Sequence, residues 1–102
     1  MRLARFLIAG VLSAGATMAR ADTVEVTIDA LAFAPAEVHA RAGDTIRWVN
    51  KDALLHTATV RGAWDVRIAP GKSAIHVVAA PGTVDYFCRF HPNMKGRIVV
   101  SP

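Results

Sequence analysis

The chain is poor in the residues that would let a small exported domain hold itself together in the usual way. Among 102 residues there is one cysteine, Cys88, so no internal disulfide can form. Small domains with limited cores usually rely on disulfides or on a metal. With the first route closed, a ligated sulfur is the expected use of a lone thiol in an oxidising compartment. There is no run of basic residues, no aromatic stacking platform and no dense Lys/Arg face, which excludes a nucleic-acid partner. No helical hydrophobic period occurs beyond the N-terminal stretch, which excludes a helical bundle.

That N-terminal stretch reads as a secretory signal. Arg2 and Arg5 precede an apolar run from Phe6 to Ala19, interrupted only by Ser13 and Thr17. Ala19-Arg20-Ala21 is a small-x-small cleavage site, with cleavage after Ala21. The run is short for a bilayer span, so a cleaved leader is expected rather than an anchor. Paired arginines are absent, which favours the general secretory route. The expected division is therefore a signal peptide over 1–21 and one domain over 22–102, located in the periplasm. The formal charge of +4 belongs largely to the leader: without Arg2, Arg5 and Arg20 there remain nine Lys and Arg against eight Asp and Glu.

From residue 22 onward the pattern is that of strands. Val24, Val26 and Ile28 alternate with Thr23, Glu25 and Thr27. Ala30 to Pro35 shows no period, and Phe33 is expected to plug the core beside this first strand. Further strands are expected over 37–40, 45–50, 56–60, 73–79, 83–88 and 97–100, and 64–68 is left as strand or loop. Pro70-Gly71 is a type II turn signal, and Pro81-Gly82 repeats its chemistry. About seven short strands with regularly spaced turns predict an all-β fold, an antiparallel Greek-key sandwich or flattened barrel.

The chemistry concentrates in Cys88-Arg89-Phe90-His91-Pro92-Asn93-Met94. Thiolate, imidazole and thioether form a borderline-soft to soft donor set that suits copper. Two histidines, a cysteine and a weak axial methionine make a blue-copper electron-transfer site. His56 is the candidate for the second histidine. Each of these residues alone has an ordinary explanation: a buried small hydrophobe, a loop residue, a gap filler. Together they do not, because Met94 is the one methionine beyond the leader and shares a loop with the one cysteine. His39 and His76 lie within strands, away from the cysteine, and are expected at the surface or at a sheet edge.

The stretch from Val84 through Cys88 and Met94 to Val100 resembles the C-terminal end of the amicyanins, which stand with pseudoazurins and plastocyanins in the cupredoxin family. Phe33-Ala34-Pro35, Gly43-Asp44-Thr45 and the strand leading to His56 resemble the same family. The resemblance implies one type 1 copper ion, with Cys88 as thiolate ligand, His56 and His91 as imidazole ligands, and Met94 as the long axial contact. It also implies that His91 presents an edge within an apolar patch, for which Leu54, Leu55, Phe90 and Pro92 are the candidates. Two departures stand out. Thr57 occupies the place where many cupredoxins carry an Asn that ties the ligand loops together; its hydroxyl is expected to reach a backbone carbonyl over a shorter span. Arg89-Phe90 replaces the Thr-Pro or Ser-Pro usual between the Cys and the His. A cation there is expected to raise the reduction potential by penalising Cu(II).

The expected function is a one-electron carrier, not an enzyme. It would cycle Cu(II)/Cu(I) between redox proteins met briefly, a dehydrogenase as donor and a cytochrome or oxidase as acceptor. The mature chain is expected to be a monomer with no membrane span. Lys51, Arg89, Lys95 and Arg97 are expected to form a mildly basic rim that steers acidic partners. A periplasmic copper-delivery protein is the alternative, although delivery favours open Met- and His-rich sites. A copper enzyme would need a second centre or a substrate pocket, and a structural zinc domain would gain little from a thioether.

Overall fold

The computed structural model describes residues 20–102, so most of the expected signal peptide, 1–21, lies outside the described residues. Nine strands are present among them: β1 (Thr23–Asp29), β2 (Ala32–Ala34), β3 (Glu37–Arg41), β4 (Thr45–Asn50), β5 (His56–Val60), β6 (Trp64–Ile68), β7 (Ser73–Val77), β8 (Gly82–Phe87) and β9 (Lys95–Ser101). Strands β2-β1-β4-β7 make one sheet and β3-β9-β8-β5-β6 the other. No helix among these residues is long and apolar enough to cross a membrane.

The strand count exceeds the expected seven for two local reasons. Strand β2 has three residues, too few for alternation to show, yet it pairs with β1 and buries Phe33 at its centre. Strand β6, which the sequence leaves undecided, pairs along its whole length with β5. The sheets are also not purely antiparallel. β1 runs parallel to β4, and β3 runs parallel to β9. The chain leaves the first sheet after β2, lays β3 into the second, and returns to set β4 beside β1. Each neighbour is thus reached by a crossover between sheets, which permits parallel entry where a tight hairpin cannot.

Alternation decides which side chains fill the gap between the sheets. Val26 and Ile28 of β1, Ile46 and Trp48 of β4, and Ile98 and Val100 of β9 are buried there. An aromatic group sits at the centre. Phe33 packs edge-on against Tyr86 at 4.8 Å between ring centroids, and Trp48 packs edge-on against the same ring at 5.5 Å. The indole N–H of Trp48 donates to the Tyr86 hydroxyl at 3.2 Å, so the buried phenol is partnered. Burial pushes the Tyr86 pKa up to about 12. Gly96 lies opposite Tyr86 in the β8–β9 ladder, and a Cβ at residue 96 would fall inside the tyrosine ring.

The Pro70-Gly71 turn forms as expected: Gly71 takes φ +72° and the Lys72 N–H closes the turn on the Ala69 carbonyl at 3.0 Å. The turn between β3 and β4 is held by Asp44. Its carboxylate accepts the Arg41 N–H at 2.8 Å and the Asp22 N–H at 2.9 Å, and its backbone carbonyl accepts from Val78 at 2.9 Å.

Candidate metal centre

Strand β5 begins where β8 ends, because the two run antiparallel with Thr59 opposite Phe87. His56, the first residue of β5, therefore arrives beside Cys88, the residue that follows β8. The loop from Cys88 to Met94 then turns back into β9. It is closed by two backbone bonds, Met94 N–H to the His91 carbonyl at 2.8 Å and Cys88 N–H to the Met94 carbonyl at 3.1 Å.

The result is a cluster of donor atoms at one end of the sandwich. His56 Nδ1, Cys88 Sγ and one ring nitrogen of His91 lie within 4.8 Å of one another. The sulfur is 3.8 Å from His56 Nδ1 and 3.7 Å from His91 Nδ1. An ion about 2.0 Å from each nitrogen and about 2.3 Å from sulfur, at trigonal angles, sets nitrogen and sulfur about 3.7 Å apart. The cluster thus has the spacing of a metal site without further movement. Cys88 and His56 are both fully buried, whereas His91 is half-buried. Met94 is buried against the core at the end of the same loop.

The orientation of His56 comes from Asp52, a residue that the sequence reading did not single out. Nε2–H of His56 donates to Asp52 Oδ2 at 2.8 Å. That bond fixes the tautomer and turns the Nδ1 lone pair toward the sulfur. Asp52 is itself anchored: Oδ1 accepts the Ala30 N–H at 2.8 Å and Oδ2 the Leu31 N–H at 3.0 Å. The Leu31 amide, opposed by desolvation and aided by His56, holds the Asp52 carboxyl below its ordinary range. Asn50, which is buried, staples the loop in between. Its side chain donates to the carbonyls of Leu54 at 2.8 Å and Ile68 at 3.0 Å and accepts from Asp52 N–H at 2.9 Å. A carboxylate four residues before the histidine was visible in the sequence. Nothing in the spacing showed that the two side chains meet.

Thr57 does tie the ligand loops together, though not as expected. Its backbone N–H donates to Cys88 Sγ at 3.4 Å, and its hydroxyl accepts the Arg89 N–H at 2.9 Å. The hydroxyl thus acts as an acceptor from an amide, where donation to a carbonyl was foreseen. Arg89, expected to act through its charge, has a partner. Its guanidinium grips Asp65 through two bonds, Nε–H to Oδ1 at 2.9 Å and Nη2–H to Oδ2 at 3.1 Å. The Arg89 bond, with the Thr59 hydroxyl second, holds the Asp65 carboxyl below its ordinary range. The basic rim is weakened in the same way, since Arg97 pairs with Asp85 at 2.7 Å. His39 is exposed beside Glu37, and His76 stacks on Trp64 at 4.2 Å. Neither joins the cluster.

Of the residues expected to form an apolar patch at the half-buried His91, Leu54 and Phe90 are 50% and 46% exposed, Pro92 is exposed as well, and Leu55 is half-buried. Leu54 and Phe90 are therefore surface apolar residues, not core filling.

Comparison with known proteins agrees with this geometry. The profile of the cupredoxin-like domain matches residues 2–100. Amicyanin-alpha of Methylorubrum extorquens is 34% identical over 97% of this chain and 92% of its own length. Plastocyanin of Scenedesmus fuscus is 34% identical over 78% of this chain and 98% of its own. Among solved structures, amicyanin from Paracoccus versutus superposes with a TM-score of 0.70 at 29% identity, covering 81% of this chain and 85% of that one. A methionine-to-alanine mutant of amicyanin in its Cu(I) form gives 0.71 at 27% identity, covering 78% and 82%. A two-sheet β sandwich, a His-Cys-His cluster at one end and a profile match over nearly the whole chain lead to one assignment: the chain belongs to the cupredoxin-like family.

Proposed function

We propose that this protein is an exported blue copper carrier that passes single electrons between redox proteins. His56, Cys88 and His91 would be its equatorial ligands and Met94 its long axial contact. The observation that carries the reading is the cluster itself: a buried thiol 3.8 Å and 3.7 Å from two imidazole nitrogens. Copper bound there supplies a Cu(II)/Cu(I) couple. Everything else is the work of the chain. Asp52 holds His56 in one tautomer, the Thr57 amide points at the sulfur, and two strands with a closed loop fix the donors in place. A site so constrained changes shape little between oxidation states, which is what rapid electron exchange requires.

Electrons would enter and leave at His91, the one ring of the cluster that reaches the surface. The exposed Phe90 and Pro92 on either side of it, with exposed Leu54 as a further candidate, would suit brief docking to a dehydrogenase donor and a cytochrome or oxidase acceptor. The protein would work in the periplasm as a monomer after cleavage of residues 1–21. Cleavage after Ala21 would leave the amino group of Asp22 as the new terminus, 2.9 Å from the Asp44 carboxylate, where its charge is accommodated. The two relatives named amicyanin and plastocyanin favour the carrier over a delivery protein. Voltammetry of the copper-reconstituted protein tests the reading. A reversible one-electron wave is expected, lost in Cys88→Ser. An irreversible wave accompanied by release of copper would point to delivery instead.

A further inference from the structure

Arg89, Thr57, Thr59 and Asp65 form a closed ring of hydrogen bonds beside the sulfur. The Arg89 N–H donates to the Thr57 hydroxyl at 2.9 Å. The Thr57 and Thr59 hydroxyls are 2.8 Å apart. Thr59 donates to Asp65 Oδ1 at 2.6 Å, so its own proton is committed and Thr57 must be the donor between the two. Asp65 then accepts both bonds from the Arg89 guanidinium, at 2.9 Å and 3.1 Å, which closes the ring on the residue where it began. Every proton runs in one direction around the path until the carboxylate, an arrangement in which neighbouring bonds strengthen one another. Thr57 and Thr59 are buried, at 0% and 4% exposure, so their hydroxyls would be costly to leave unpaired.

We propose that this ring is a clasp that positions the Cys88 sulfur, and that Thr59 and Asp65 are positioning residues of the centre although neither touches it. The ring joins the ligand loop at Arg89 to strands β5 and β6, which carry Thr57, Thr59 and Asp65. The same Thr57 gives its amide to the sulfur at 3.4 Å. Holding Arg89 to Thr57 therefore sets the position of Cys88, the preceding residue, against the backbone amide that donates to its sulfur. An exposed Arg–Asp pair alone contributes little. Here its carboxylate also terminates a buried hydroxyl chain, so the surface pair reports on the interior. The role given to Arg89 is mechanical. With Asp65 beside it, its charge is locally balanced, and its field at the cluster is correspondingly reduced.

The inference rests on the copper reading for its consequence but not for its geometry, and the test separates the two. Amide exchange at Arg89 and Thr57 is measured by NMR in the metal-free and Cu(I)-loaded protein, and the ratio of the two sulfur-to-copper absorption bands in the Cu(II) form. Thr59→Val and Asp65→Asn should each speed exchange at Arg89 about fivefold or more, the worth of a typical hydrogen bond, and should change the band ratio. Thr59→Ser should restore both. The double variant should exceed either single change little, since one break opens the ring. Wild-type exchange and band ratio in variants that only melt earlier would overturn the proposal. If the wild type takes up copper without colour, the carrier reading fails, and exchange in the metal-free protein still decides whether the clasp exists.

Discussion

Some side chains in this protein can be tested one at a time, outside the coupled ring beside the sulfur. Asp52 is the clearest case. It is the acceptor that orients His56, and it brings a negative charge close to the cluster, where it favours the more positive oxidation state. Asp52→Asn should therefore raise the reduction potential and weaken copper affinity about 10- to 100-fold, the usual cost of losing such a partner. Voltammetry and a competitive copper titration measure the two effects. A potential that falls would contradict this role. Gly96 offers a test of packing in place of chemistry. Tyr86 is buried and its hydroxyl is held by Trp48, so its ring cannot yield to an added methyl group. Gly96→Ala should cost about 1–3 kcal/mol in a urea melt, the range for overpacking a tight core.

At the scale of elements, what could be read in the sequence was whatever depended on local pattern: periodicity, turn chemistry or rare residue types close together. Val24, Val26 and Ile28 announced β1 because half-burial of a strand writes itself as alternation. Cys88, His91 and Met94 announced their loop because rare residue types met there at short spacing. What escaped was whatever depended on distant pairing. β2 is three residues long and owes its existence to β1. The parallel partners of β1 and β3 follow from crossovers that no local pattern records. Asp65 lies in the stretch that the sequence leaves as strand or loop, yet it faces Thr59 across the β5–β6 ladder and receives Arg89 from another loop. The turn between β3 and β4 belongs to this scale as well. Hydrogen bonds from the backbone nitrogens of Asp22 and then Arg41 hold the Asp44 carboxyl below its ordinary value of 3.8. A group with a depressed folded pKa stabilises the protein above the unfolded value and loses that contribution as pH falls through the folded one. Stability should thus decline as pH drops below about 3.8. Asp44→Asn should flatten that part of the curve while lowering stability at neutral pH. Thermal melts across pH check both, and an unchanged acid slope in the variant would count against the clamp.

For the molecule as a whole, the half-buried His91 stands between two exposed apolar residues of its loop, Phe90 and Pro92. Arg89 and Arg97 are each paired with an aspartate, and the Arg67 guanidinium lies 6.0 Å from the centroid of the Phe90 ring, close enough for the ring face to attract its charge. Charge steering should be slight. The rate of electron transfer to a partner should change little between low and high salt, whereas Phe90→Glu should slow it with little change in potential. Stopped-flow rates at several ionic strengths measure this, and a steep fall with added salt would show that charge guides docking after all. Beneath all of these lies the claim that one thiolate and two imidazoles grip a single copper ion in a stiff β frame. The visible absorption spectrum of the purified protein loaded with Cu(II) addresses it directly. An intense band in the red is expected, bleached by a reductant and restored on reoxidation; a colourless oxidised copper protein would contradict the account.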